Sequence, residues 1–464
     1  MKKEWAILLV ILPMTFMTTL DSSIVNVALP TMAKELGTTM AGIEWVVTSY
    51  LITICALILL FGRFGDVIGK SRVFRFGIAA FTIGSLLCGF SNTLVMLIIS
   101  RIIQAVGAAA AMATNQGIIT ETFPPSERGR ALGMTGTAVA LGTMVGPTLG
   151  GLIVSVAPWE FIFLINIPIG IIVYIAVMKT LSFRKVKEKL PFDIKGTILF
   201  MLAIVLLFCS INFGQSIGFT NPIIIGAFVL SIIFLFIFIN VEGKIKAPML
   251  DISIFKNKLF SLSIFCGFTS FISIGAINII LPFYLQDVLK LGPSIAGLMM
   301  TVSPIVLAVV APVSGYLSDK LGSEKISALG LSIMTLGIFG LILFRESTPL
   351  LIVGILIGSV SLGSGIFQSP NNSLIMSTVD KSKLGIAGSI NGLIRNLGMT
   401  TGIALSTSLL YSIMSGRMGY KVAGYIEGRA DVFIYAMRFV FVGIGSVCFI
   451  GAILTILRII KMKA

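Results

Sequence analysis

Runs of eighteen or more apolar residues recur along the whole chain, parted by short segments rich in glycine and basic residues. At 1.5 Å per residue, about twenty helical residues cross a hydrocarbon core of roughly 30 Å, so each run reads as a membrane-spanning helix. The pattern predicts about fourteen spans. The first six fall near residues 6–29, 43–62, 74–91, 93–120, 130–156 and 161–182. Two more follow at 194–213 and 222–241, and the last six lie near 260–286, 293–317, 325–344, 348–377, 386–416 and 433–458. One polar position breaks the first run: Asp21, in Met17–Pro30 (MTTLDSSIVNVALP). A carboxylate at span depth costs about 2.5–3.5 kcal/mol on insertion scales, so it is expected to face a partner or a wet cavity. The remaining Asp and Glu residues fall in predicted loops or at span ends, and the chain has no histidine. Asp21 is therefore the obvious carrier if protons move through this protein.

Composition agrees with the pattern and removes other classes. Of 464 residues, 56% are hydrophobic and 11% charged, with a mean hydropathy of +1.05. The net charge of +15 does not mark a nucleic-acid surface, because the basic residues are spread through alternate loops rather than gathered on one domain. The positive-inside rule accounts for that bias and predicts both termini on the cytoplasmic side. The N-terminal MKKEW followed by an apolar run has the outline of a secretory signal. The run is too long, contains Asp21 and lacks a small-residue cleavage site, so it is read as span one. Cys55, Cys88, Cys209, Cys266 and Cys448 lie in or beside apolar runs with no metal-like spacing, and no metal ligand set is predicted.

An internal repeat sets the architecture. Gly62–Arg72 (GRFGDVIGKSR) after span two matches Gly315–Lys325 (GYLSDKLGSEK) after span ten, with Gly62, Asp66, Gly69 and Arg72 against Gly315, Asp319, Gly322 and Lys325. Pro124–Gly133 matches Val379–Gly388 more weakly. The predicted fold is an all-α polytopic membrane protein of two six-helix bundles plus two inserted spans. Residues 1–183 form the N-terminal bundle, 184–258 a basic linker with the two extra spans, and 259–464 the C-terminal bundle. Such duplication is a hallmark of transporters, with the substrate site expected near the bilayer midplane between the halves.

Several motifs carry candidate chemistry. Gly62–Arg72 reads as a tight interhelical turn in which Asp66 caps a helix or pairs with Arg128 or Arg130, either as a conformational latch or as an ordinary charged loop. Arg101 lies about 12 Å below the outer end of span four, a depth that agrees with that of Asp21 within the uncertainty of the span ends. An Asp21–Arg101 pair or a shared polar network is expected, the contact being either switchable or static. In span five, Gly142, Gly146 and Gly150 recur every fourth residue and Pro147 bends the helix. The second half carries Asn278, Gln368, Asn371, Asn372, Asn391, Arg395 and Asn396 within spans. Those amides either bond helix to helix or meet substrate.

With these motifs in place, the chain resembles the major facilitator superfamily, and within it the fourteen-span drug:proton antiporter family, over essentially its whole length. LDSSIVNVALP is similar to the family's span-one signature, and Gly62, Asp66 and Gly69 to its loop motif. Arg101, Gln104 and Gly107 resemble the span-four motif whose arginine the family uses in proton coupling. Gly142, Gly146, Pro147, Gly150 and Gly151 resemble the antiporter motif associated with exporters, and Phe163–Gly170 (FLINIPIG) also fits. Glu160 departs from the basic residue common there, and further acids in the C-terminal spans are missing. The resemblance implies Asp21 and Arg101 as the proton-coupling pair, and Gly62, Asp66, Gly69, Arg72, Arg128 and Asp319 as the latch. It implies Asn26, Gln104, Asn115, Asn278, Gln368, Asn371, Asn372 and Arg395 as substrate-cavity residues. It further implies a monomeric, multi-pass protein of the plasma (inner) membrane that exports hydrophobic, cationic or zwitterionic drugs. The energy source would be a proton gradient, with no cofactor. The alternative is an exporter of one endogenous metabolite, peptide or lipid precursor. An enzyme or sensor is disfavoured, since neither clustered catalytic groups nor a soluble output domain is evident.

Overall fold

The computed structural model describes residues 3–181, 193–245, 248, 250, 252–379 and 384–463. A few helical side chains fall outside it, among them those of Asp66, Arg128, Arg130 and Asp319, as does most of the basic stretch 184–195. Among the described residues all regular structure is helical. The helices are α1 (Lys3–Glu35), α2 (Met40–Ile43), α3 (Trp45–Phe64), α4 (Lys70–Gly89), α5 (Leu94–Thr122), α6 (Pro125–Val156), α7 (Phe161–Leu164) and α8 (Asn166–Thr180). Then come α9 (Ile194–Ile217), α10 (Pro222–Glu242), α11 (Lys258–Phe283), α12 (Pro293–Leu321), α13 (Ser323–Gly340), α14 (Leu350–Ser377), α15 (Leu384–Met418) and α16 (Ala430–Lys463). Thirteen stretches among the described residues are long and apolar enough to cross a membrane, and Leu141–Val156 in α6 is a shorter one. This is the expected all-α polytopic fold.

Local chemistry starts the helices where the apolar runs begin. The Thr93 hydroxyl accepts from the Met96 amide at 3.2 Å, and the Asn257 side chain accepts from Leu259 and Phe260, satisfying amides that a helix start leaves open. Pro125 and Pro293 open α6 and α12, where a missing N–H costs nothing.

The chain divides into two compact units. The first comprises Met1–Thr38, Gly42–Ser210 and Pro222–Ile252, and the second Thr39–Ala41, Ile211–Asn221 and Ser253–Ala464. Within the first, α1 packs on α6, α5 on α3 and α4, and α8 on α1 and α4. Within the second, α11 packs on α15, α14 on α12 and α13, and α16 on α11 and α13. The same pairing scheme is used twice.

Close helix approaches fix the register of that duplication. A Cβ on Gly107 would meet the Phe81 amide and the Gly77 carbonyl, and one on Gly363 would meet the Met334 amide and the Gly330 carbonyl. A Cβ on Gly142 would strike the Phe16 carbonyl, the Leu20 amide and Thr19, and one on Gly398 the Phe268 carbonyl, the Ile272 amide and Phe271. In the register these contacts set, Asp21 corresponds to Ser273, Arg101 to Ile357 and Gln104 to Val360.

The Gly62–Arg72 stretch differs from a simple interhelical turn. Helix α3 runs through Phe64, a π turn occupies Gly65–Gly69, and α4 starts at Lys70. The break is confined to Gly69, with φ 102° and ψ 125°. Its repeat partner Gly322, between α12 and α13, has φ 93° and ψ 133°. Only glycine takes this backbone at little cost, which is why both copies keep it.

Candidate functional site

Asp21 lies in the interior of the first unit, where six elements meet its carboxylate or the side chains that hold it. Helix α1 supplies Asp21 itself, and the α6 face of that helix is set by glycines. Gly142, Gly146 and Gly150 oppose Thr19, Ser23 and Ile24, and the Ser23 hydroxyl donates to the Gly142 carbonyl at 3.1 Å. With small residues letting two backbones approach, α1 is held by α6 on one side and presents Asp21 on another.

Donors converge on both carboxylate oxygens. Arg101 Nη1 from α5 donates to Oδ2 at 2.5 Å, while Gln104 Nε2 and Asn166 Nδ2 donate to Oδ1 at 2.8 and 3.0 Å. Arg101 also donates from Nε to the Val46 carbonyl at 3.0 Å and from Nη1 to Gln104 Oε1 at 2.6 Å. Its guanidinium lies 4.0 Å from the Tyr50 ring centre and 5.5 Å from that of Phe163. Ser85 of α4 accepts from Gln104 at 2.8 Å, where Gly84 lets α4 come up against the Gln104 backbone. Asp21, Arg101, Gln104 and Asn166 are all fully buried, at 0% exposure. Both carboxylate oxygens thus have donors, as an acceptor-only group requires. The carboxylate is also sealed, with no surface open to solvent in this conformation.

The expected pairing of Asp21 with Arg101 is thus direct. Gln104, expected to line a substrate cavity, donates to the carboxylate in this conformation. Asn166, Ser85 and Tyr50 went unrecognised in the sequence. Asn166 sits inside the FLINIPIG string, and an amide in so apolar a run is the signal that could have found it. Asn115 donates to the Thr15 hydroxyl at 2.6 Å and is half-buried, while Asn26 is buried.

Comparison with known proteins identifies the family. The family model described as Major Facilitator Superfamily matches residues 11–403 and 263–462. The chain belongs to the Major Facilitator Superfamily. Riboflavin transporter RibZ of Clostridioides difficile (strain 630) is 38% identical, with 98% of each chain covered. Multidrug resistance protein Stp of Mycobacterium tuberculosis (strain CDC 1551 / Oshkosh) is 30% identical over 87% of this chain and 75% of its own. A bacterial homolog of the human lysosomal transporter Spinster, solved inward-facing and unoccupied, superposes with a TM-score of 0.68 at 16% identity, covering 98% of this chain and 97% of that one. That likeness concerns the fold. This major facilitator protein is a transport protein and not an enzyme.

The remaining residues of this superfamily member divide clearly. In the second unit Asn371 donates to the Ser263 carbonyl at 3.0 Å, Asn391 to Asn372 at 2.9 Å, and Gln368 to Ser364 at 2.8 Å. These amides serve as bonds between or within helices here. Asn278 is half-buried on α11. Arg395 is half-buried on α15 and forms no hydrogen bond or ion pair among the described residues. Of the latch residues, Gly62 lies in the last turn of α3, Gly69 ends the π turn and Arg72 is exposed, while the side chains of Asp66, Arg128 and Asp319 lie outside the described residues. Beside that turn, Lys70 pairs with Glu121 at 2.6 Å, tying the start of α4 to the end of α5, and its stem lies against Gly117. Pro147 sits within α6, and Gly151 is buried beside Gly150.

Proposed function

We propose that this chain is a proton-coupled antiporter of the fourteen-span drug:proton type, exporting hydrophobic, cationic or zwitterionic compounds from the cytoplasm by alternating access. The observation that carries the reading is the sealed Asp21–Arg101 pair with Gln104 and Asn166 on the same carboxylate. A proton on Asp21 would remove the attraction that holds α1 to α5 there and leave Arg101 a buried cation without its counter-ion, a costly state. The unit must then rearrange, and a rearrangement driven by one protonation event is the element a coupled carrier requires. Because Asp21 is closed to solvent here, proton exchange belongs to another conformation of the cycle. Substrate biases that cycle only through unequal affinity for its states. The basic loops support cytoplasmic termini in a plasma (inner) membrane.

The multidrug relatives support a broad cargo. A second reading, a carrier dedicated to one metabolite, is favoured by the full-length match to a riboflavin transporter. Proteoliposomes with an imposed pH gradient separate these readings when offered riboflavin, quaternary amines, quinolones and fluorescent dyes in parallel. Movement of several unrelated cations supports the first, and movement of riboflavin alone supports the second. Uphill transport by Asp21→Asn with unchanged proton dependence would refute the coupling in either case.

A further inference from the structure

At the end of the second unit where α13 hands over to α14 and α15 to α16, three arginines surround a cavity of about 400 Å³. Arg345, Arg417 and Arg438 line it with Glu346, Asp431 and Tyr435. The charge is not balanced from within. Asp431 is taken up by Arg429, outside the cavity, at 2.9 and 3.1 Å. None of the three arginines forms an ion pair among the described residues. Arg417 stacks over the Tyr435 ring at 4.2 Å.

Arg438 is the informative one. It stands eight residues into α16, about 12 Å from the helix start. One terminal nitrogen reaches the Phe344 carbonyl at 3.3 Å, and its Nε is buried with no partner. A guanidinium at that depth needs an anion or water at its remaining donors. The wall it faces is firmly built: Tyr284 stacks on Phe344 at 4.7 Å and donates to the Arg345 carbonyl at 2.8 Å. Away from the cavity, α16 continues as an exposed apolar track through Tyr435, Phe439, Val442 and Phe449. Their spacing of three, four and seven residues keeps them on one face. A cationic socket that opens on a lipid-facing apolar track suits a molecule with both parts.

We propose that this cavity binds the phosphate headgroup of an anionic phospholipid, with Arg345, Arg417 and Arg438 as its donors and the α16 track beneath its acyl chains. A phosphodiester offers the acceptor oxygens that guanidinium groups match, whereas a zwitterionic headgroup brings a cation into a socket already positive. Free phosphate shares the first half of that chemistry but not the apolar track.

Native mass spectrometry of the full chain in non-ionic detergent tests the site, with phosphatidylglycerol or phosphatidylcholine added and sn-glycerol 3-phosphate as the soluble competitor. Phosphatidylglycerol should be retained about tenfold over phosphatidylcholine, as expected for loss of one charge-assisted contact. That preference should vanish in Arg417→Gln/Arg438→Gln. The rim variant Arg345→Gln/Arg417→Gln, which leaves Arg438 in place, should also lose several-fold. Lys195→Gln, exposed on α9, should behave as the parent. Equal retention of the two lipids, or an unchanged preference in the rim variant, would overturn the proposal. Full displacement by glycerol 3-phosphate would overturn the lipid assignment in favour of a soluble phosphate site.

Discussion

At the scale of single residues, the decisive fact is that Asp21 and Arg101 satisfy each other where water does not reach. Removing one partner of such a pair strands the other, typically at 3–5 kcal/mol, whereas removing both charges together costs far less. Arg101→Ala should therefore lower the thermal unfolding midpoint in detergent by more than the double variant Asp21→Asn/Arg101→Gln. An Arg101→Ala protein as stable as the parent would show the pair to be energetically idle. Asn166→Leu removes one donor at 3.0 Å, a loss of about 1–3 kcal/mol, and should lower the same midpoint by less than Arg101→Ala. Much of this site was legible in the sequence. The depths of Asp21 and Arg101 follow from counting residues along two spans, and Gln104, three residues after Arg101, shares its helical face. Asn166 was not legible, because the face that α8 turns towards α1 is decided by packing and not by its own hydropathy. The closure of Asp21 from solvent was equally beyond sequence, since it depends on how side chains of other helices pack around the cluster.

At the scale of elements, glycine carries two separate duties that the sequence presents alike. Gly69 and Gly322 hold a left-handed backbone at equivalent breaks, so Gly322→Ala should cost about 1–2 kcal/mol through strain alone, with open space around the new methyl group apart from Glu324. Gly146 is helical and unstrained, but a side chain there would run into Ser23 and the Ile24 amide. Gly146→Val should overpack α1 against α6 by about 1–3 kcal/mol and impair transport while leaving the second unit's packing intact. Thermal midpoints compare the two, and the Gly146 variant should also lose more transport per folded molecule. The repeat of Gly62–Arg72 in Gly315–Lys325 was readable because both copies need the same backbone. The π turn that carries the first copy was not, since its hydrogen-bond pattern leaves no distinct residue signature. The amides of α14 show the same limit in reverse. Asn371 and Asn372 bond neighbouring helices, and only the contact geometry separates that use from a substrate-facing one.

At the scale of the whole molecule, the two units share a packing scheme but not a charge scheme. Where the first unit has Asp21, Arg101 and Gln104, the equivalent positions in the second are Ser273, Ile357 and Val360. Other buried carboxyls exist among the described residues, namely Glu44, Glu242 and Asp287, but each sits at or beyond a helix end. Asp287 lies in the π turn that closes the α11 span. If Asp21 alone crosses between compartments, one proton moves per cycle. Thermodynamics then fixes a number: each pH unit supplies about 1.4 kcal/mol per proton, which balances about a tenfold gradient of an uncharged substrate. Two protons per cycle would balance about a hundredfold gradient. In proteoliposomes clamped at zero membrane potential, net flux should therefore reverse when a one-unit pH step opposes a tenfold substrate gradient, and Asp287→Asn should leave that reversal point unmoved. A reversal near a hundredfold, or a shift in Asp287→Asn, would place a second carrier outside the Asp21 cluster and end the one-carboxylate account.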